Sequence, residues 1–452
     1  MKKGKISIFK SIFSKNTLHC LRLLPKVLSK FEKISLIILG IVILGSGGFI
    51  WRNHWLKTTH DVPAYGGTYT EGVVGEAKDL DKHLARLTGA GLTKLSPNGD
   101  VQGDLAESWE IQEDGKLYQF KLRSGYDSGD LASQIAAKNI WPGIEVGTPA
   151  PNLITFRFKQ PFSPFLYAST EPIFSYGPYQ ILKEEKNQIT LETNSAYWKG
   201  QPNIQKVIIK LYSTQDELLK AAKHGDLTAY LTDSKDDYKP VTFTQYQIAL
   251  PRELDLFFNL QKDDLKSVDL RRNLRDYKPL DKSYTWTFVT SDNPKNVGLA
   301  NEIKNRWKNL GVTLNIQTYD NVTLQKDIIP KRSYDLLLYG LDYGPDPDPY
   351  PFWHSSQIGE SGENLSNFSN KNADKLLEDA RQSFDFNVRN QKYVDFKKIL
   401  DDQVPFIIIE KANLHYDISP DVKGISKIYG SSETDRFLNI SDWYIKSRRV
   451  KN

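Results

Sequence analysis

The densest set of chemically capable side chains in this 452-residue chain is the run Gly340 to Ser356, GLDYGPDPDPYPFWHSS. It supplies three carboxylates (Asp342, Asp346, Asp348), the flat rings of Tyr343, Tyr350, Phe352 and Trp353, and the hydrogen-bonding groups of His354, Ser355 and Ser356. Carboxylates in a partly dry cleft attract a cation such as an ammonium, because their field is poorly screened there. Asp-Pro-Asp-Pro is equally ordinary turn chemistry, and rings beside prolines often only pin a loop. Other chemistries find no assembled set. The seven histidines (His19, His54, His60, His83, His224, His354, His415) never fall at metal-box spacing, and no GxSxG elbow occurs. Gly89-Ala90-Gly91 lacks the third glycine and preceding strand of a phosphate cradle. The lone cysteine, Cys20, leaves the main body without thiolate metal sites, disulfides or cysteine nucleophiles. Neither an enzyme nor a cofactor is expected.

The acidic aromatic run directly follows Tyr334 to Tyr339 (YDLLLY), whose unbroken apolar stretch predicts a strand buried on both faces. Ligands of open α/β sheets bind beyond the carboxyl ends of such strands. Around it the grammar is βαβ: alternation over Tyr284 to Thr290, helical spacing of Leu299, Ile303, Trp307 and Leu310, a stop at Gly311, then alternation from Val312 to Ile316. Two helices follow, marked by Ala373, Leu377 and Ala380 and by Tyr393, Phe396 and Leu400, before a returning strand over Val404 to Ile409. The first half predicts short strands (Leu117 to Leu122, Leu153 to Phe158, Val207 to Leu211) separated by Pro97-Asn98-Gly99 and Asp114-Gly115 turns, and a helix over Glu217 to His224 ended by Gly225. Two α/β lobes with a cleft between them are expected.

Charge is unevenly distributed. Met1 to Lys33 holds nine basic residues and the single acid Glu32, whereas the rest is slightly acidic, so the pI near 8.8 is no nucleic-acid footprint. Ile34 to Trp51 is an uncharged 18-residue run long enough, as a helix of about 27 Å, to cross a bilayer. By the positive-inside rule the basic leader is expected to keep residues 1–33 in the cytoplasm and to send residues from Arg52 onward outside. A retained anchor is expected, since the lead is long for a signal peptide; a cleaved signal ending near Gly45-Ser46-Gly47-Gly48 is the alternative. Ile6, Phe9, Ile12 and Phe13 share a helical face that would suit an anionic leaflet, although an orientation signal explains the leader equally. Residues 52–64, with the polar TTHDVPA stretch, read as a linker.

Taken together, GLTKLSPNGDVQGDLAESWEIQEDGKLYQFKLR (Gly91 to Arg123), YGPYQILKEEKNQITLETNSAYWKGQPNIQKVIIKLY (Tyr176 to Tyr212), LDLFFNLQ (Leu254 to Gln261), the Tyr334 to Gln357 segment and the terminal RFLNISDWYIKSRR (Arg436 to Arg449) resemble the family 5 extracellular solute-binding proteins of ABC importers, the oligopeptide and dipeptide receptors. The resemblance implies a two-lobed periplasmic-binding-protein-like α/β fold of the large class, preceded by one transmembrane helix, with a discontinuous first lobe (65–252 plus 413–452) and a second lobe (253–412). It implies a monomer on the outer side of the cell membrane that binds short peptides and delivers them to permease subunits. Asp346 is the position implied for the peptide's ammonium, with Asp348 as the other possibility; Trp353, His354, Ser355, Tyr343 and Asn259 complete the implied ligand-binding set. Three departures stand out: no lipoprotein cysteine follows the apolar segment, the stretch after Arg123 is short, and the segment between Arg272 and Thr285 is nearly gone. A membrane-tethered sensor or interaction protein that kept the fold without import is the competing function.

Overall fold

The computed structural model describes residues 29–76, 78, 80–96, 99–232, 242–344, 346, 348–426 and 430–451. The leader residues Ile6, Phe9, Ile12, Phe13, His19 and Cys20 and the Pro97-Asn98 turn lie outside them. Two units result, one of residues 1–64 with 447–452 and one of residues 65–446.

In the smaller unit a 29-residue helix α1 (Lys30–Thr58) extends beyond both ends of the expected span, and none of its side chains is buried. Its start is a capping box: Ser29 N–H donates to Glu32 at 2.9 Å and Glu32 N–H to Ser29 Oγ at 3.3 Å. The expected linker is instead partly ordered, because Thr59–Ala64 forms a strand that pairs with Lys446–Lys451. Arg449 secures it by donating to Thr59 O at 2.8 Å and Leu56 O at 3.1 Å.

The larger unit is built on a ten-stranded mixed sheet. Its strands in chain order are β1 (Thr68–Val74), β2 (Tyr179–Glu185), β3 (Gln188–Thr193), β4 (Lys206–Tyr212), β5 (Ala229–Thr232), β6 (Thr244–Phe258), β7 (Tyr284–Ser291), β8 (Val312–Tyr319), β9 (Leu336–Asp342) and β10 (Phe406–Ile418). They lie side by side as β8-β7-β9-β6-β10-β5-β1-β4-β3-β2. The βαβ reading over 284–319 is realised: β7 and β8 are parallel, joined by α3 (Pro294–Lys308), after α2 (Val268–Arg275). The left-handed Gly311 closes the crossover. Leu336, Leu337 and Leu338 of β9 are all fully buried, alternately against Trp307 and its neighbours on one face and Trp353 and Phe396 on the other. Helices α4 (Lys371–Gln382) and α5 (Phe386–Gln403) cover the latter face. The returning strand is longer than its apolar run suggested: β10 starts after the left-handed Val404 and continues for 13 residues.

The long strands β6 and β10 pair antiparallel along much of their length, with one register shift between Leu254 and Asp255 and another between Ala249 and Glu253. The expected lobe boundaries at 252/253 and 412/413 fall side by side at this irregularity. A separate four-stranded sheet (106–112, 117–122, 153–157, 145–150) closes over Tyr118, Phe120, Phe156 and Phe165. The terminal segment is tied to β1 by a buried ion pair of Arg436 with Glu71, whose carboxylate also accepts from Tyr416 at 3.1 Å. Arg86 bonds Asp435 at 2.8 Å in the same region. Gly89 and Gly91 are required by packing alone, since a Cβ on either would collide with backbone carbonyls of Pro172 and Thr93.

Candidate functional site

Each acid of the loop after β9 already has its own arginine. Asp342 ends the strand, takes Gly344 N–H at 2.9 Å and pairs with Arg252 of β6 at 2.6 Å. Asp346 receives Arg389 Nη2 of α5 at 2.6 and 2.7 Å on its two oxygens, and the same nitrogen donates to Tyr393 at 2.9 Å. Asp348 binds Arg381 of α4 at 2.7 and 2.8 Å, while its other oxygen takes Tyr350 N–H at 3.2 Å. Burial pushes Asp346 up to about 6, opposed by Arg389, so at neutral pH the pair is ionic. The expectation that Asp346, or Asp348, stands open for a ligand's ammonium is corrected accordingly: a resident guanidinium occupies the place of that cation, and a buried pair does not exchange it cheaply.

The other candidates divide into framework and wall. Asn259 is a framework residue, 2% exposed, donating to Tyr334 O at 2.9 Å and accepting from Asn367 at 2.9 Å and Gln261 N–H at 3.1 Å. This corrects its place in the ligand-binding set, since no hydrogen-bonding capacity faces a cavity. Ser355 is also committed, its N–H and Oγ both bonded to Asp374 at 2.9 and 2.7 Å. His354 stacks on Tyr350 with centroids 4.1 Å apart, accepts Ser356 N–H at Nδ1 and is thereby left with Nε2–H toward Glu378 at 3.2 Å. Arg381 lies 3.7 Å above the opposite partner of that stack, Tyr350. Tyr343 and Trp353 are brought together, and both face open space.

That space is a cavity of about 470 Å³. One wall is β6 and β10 at their register shift (Ala249 to Pro251, Glu253, Phe406, Ile408), and the opposite wall is α5 (Tyr393, Phe396, Lys397, Leu400, Asp401). Tyr343, Gly344, Pro349 and Trp353 close one end, Gly430 and Ser431 another. Trp353 is held by ring contacts to Phe406 at 4.7 Å and Phe257 at 6.2 Å, so the aromatic wall is preorganised. Tyr343 is fixed through its N–H to Pro251 O at 2.8 Å and an edge contact to Phe352. Such a chamber removes apolar solute surface from water while leaving a few polar contacts for orientation. Among the described residues no group of His, Cys, Asp and Glu is arranged to hold a metal ion.

Two features escaped sequence reasoning. The arginine partners lie 33, 43 and 90 residues from their acids, separations at which no local pattern announces a pair. Asp255 did carry a signal: it alternates with Leu254 and Leu256, so a strand covered on both faces must take the acid inside.

Comparison with known proteins bears on the whole body. The family description "Bacterial extracellular solute-binding proteins, family 5 Middle" matches residues 136–275. The probable D,D-dipeptide-binding periplasmic protein DdpA of Escherichia coli K12 is 23% identical over 430 residues, 72% of this chain and 82% of that protein. The ABC transporter substrate-binding protein CtaP of Listeria monocytogenes superposes with a TM-score of 0.69 at 19% identity, over 84% of this chain and 99% of that one. The oligopeptide-binding protein AppA of Bacillus subtilis, solved with a nonapeptide, gives 0.63 at 18% identity, over 85% of this chain and 100% of that one. These likenesses bear out the expected mixed α/β periplasmic-binding-protein fold.

Proposed function

This chain belongs to the bacterial extracellular solute-binding proteins of family 5, non-enzymatic solute receptors of ABC transporters, and from that premise we infer that its cargo is a short peptide taken up in the aromatic cavity beside β9. The observation that carries this reading is the chamber itself. At about 470 Å³ it lies within the usual range for small-ligand sites, and Tyr343 and Trp353 line it at the carboxyl end of a doubly buried strand. Binding in such a site gains from desolvation of apolar side chains and loses the ordering entropy of peptide and walls.

The lobes would be 65–252 with 413–452 and 253–412, hinged where β6 and β10 change register. Closure about that point would bring Gly430 and Ser431 against the α5 wall and trap the solute. Delivery to permease subunits follows from the family role, and α1 would keep the receptor at the membrane. Native mass spectrometry of the purified chain should reveal a co-purifying peptide, and calorimetry with mixed di- and tripeptides should give saturable heats. A cargo-free protein that also ignores every peptide would overturn the peptide assignment. Capture of permease subunits by the tagged chain separates import from a sensor role.

A further inference from the structure

We propose that the junction between α1 and the ribbon of Thr59–Ala64 with Lys446–Lys451 is a docking surface for anionic lipid headgroups; this rests on the reading of α1 as a retained anchor and adds what holds its outer end. The apolar run stops at Trp51, and Arg52 follows at once. From there α1 continues for about 10 Å to Thr58, carrying Trp55 and Lys57 through the depth at which headgroups lie. Trp51 is 70% exposed and Trp55 42%, as suits rings at that level. The ribbon begins directly beyond, and it brings the far end of the chain to the same place. Arg449 makes the join: it donates to the carbonyl of Leu56 in the last turn of α1 and to that of Thr59, and its guanidinium lies 4.8 Å from the Trp55 ring centroid. Arg448 and Lys451, its neighbours on the strand, are thereby held beside the helix end.

Charge sets the partner. Beyond Trp51 this unit holds Arg52, Lys57, Arg448, Arg449 and Lys451 against a single acid, Asp61, which pairs with Arg449 at 3.5 Å. Arg52, Arg448 and Lys451 are exposed and have no ion-pair partner among the described residues. Residues 65–447 carry 46 Lys and Arg against 53 Asp and Glu, so an anionic surface attracts this collar while the net charge of the body opposes contact elsewhere. Arg52 and Lys57 also work against the orientation that the leader sets, because cations just after a span pull that side toward the cytoplasm. The nine leader cations outvote them, and neutral residues there would orient the helix more strongly. Contact with headgroup phosphates gives these cations a role that orientation does not. Each Lys or Arg within a Debye length of an anionic surface, roughly 8 to 10 Å, adds attraction that salt screens. The Arg449 bonds and the Trp55 contact order the collar before it meets lipid, so docking loses little entropy.

The test is amide hydrogen exchange on the full-length chain in nanodiscs of phosphatidylcholine alone and of phosphatidylcholine with about one-third phosphatidylglycerol. Amides of residues 59–64 and 446–451 should exchange about threefold or more slowly in the anionic discs at roughly 50 mM salt, and the difference should vanish near about 0.5 M. Arg448→Ser combined with Lys451→Ser should lose most of the slowing. The lipid and salt comparison uses the wild-type chain, so it decides the matter even if the variant fails to fold. Equal exchange in both discs overturns the collar and leaves the anchor and peptide capture standing. Slowing that extends equally to the four-stranded sheet overturns a local site. Slowing by soluble polyphosphate in phosphatidylcholine discs, with none from phosphatidylglycerol, overturns the lipid assignment. A mature chain from cells that starts beyond Trp51 overturns the anchor and the collar together.

Discussion

Asp255 and Asp346 show how differently two buried acids of one receptor can be handled. Asp346 has a guanidinium on both oxygens, and removing that cation strands a charge. Replacing Arg389 by Met should therefore cost about 3 to 5 kcal/mol in urea unfolding, and the Arg389→Met, Asp346→Leu double variant should recover much of it. Among the described residues Asp255 has no such partner, and its elevated proton affinity makes the sign opposite to that of a salt-bridged acid. The folded chain holds this proton up to about pH 8, whereas the unfolded chain releases it near the ordinary value of 3.8. Stability from this group is thus greatest in acid and falls by up to about 1.4 kcal/mol per pH unit as pH rises through that window. Asp255→Asn should flatten the slope between pH 5 and 8 and raise the melting temperature at pH 8. A variant with unchanged slope would show that the carboxyl already has a partner.

At the level of elements, the cavity wall α5 depends on α2, a helix outside the cavity lining. Arg271 of α2 is 2% exposed and donates to the carbonyls of Gln403 and Val404 at 2.6 and 2.9 Å, and to Leu265, capping the end of α5 where the chain turns through the left-handed Val404. Burial pulls its guanidinium down to about 10, still charged at neutral pH. Arg271→Ala leaves buried carbonyls without donors and should cost roughly 3 kcal/mol or more by chemical denaturation, with solute affinity falling as α5 loosens. Packing also explains Gly177, which looks in sequence like a turn residue: a Cβ there would strike the backbone of Leu87 and Thr88. Gly177→Ala should lower the melting temperature in a thermal melt.

For the molecule as a whole, α1 decides where the receptor works. Its 29 residues would extend about 43 Å, more than a bilayer core, and its apolar surface is entirely exposed in the chain on its own. A membrane fraction should therefore contain tryptic peptides from before Ile34 if the helix is a retained anchor. Loss of those peptides with release of the body would identify it as a cleaved signal. A chain beginning at Tyr65 should stay in the soluble fraction in either case. The strand Thr59–Ala64 shows that the segment after the helix is ordered by Lys446–Lys451, a pairing between stretches almost 400 residues apart that composition described only as a polar linker.

The strands 117–122 and 284–291, the crossover helix and the doubly buried β9 were legible from periodicity, because alternation and helical spacing are local consequences of which face meets water. The family likeness and the apolar helix were legible for the same kind of reason, being patterns written along the chain. How each acid is compensated was not. Asp342, Asp346 and Asp348 look free in sequence and are each neutralised by an arginine brought in from afar, whereas Asp255 looks like an ordinary strand acid and is forced inside by the packing of β6 between β9 and β10. Charge type is a property of the residue, but its compensation depends on neighbours that only folding supplies.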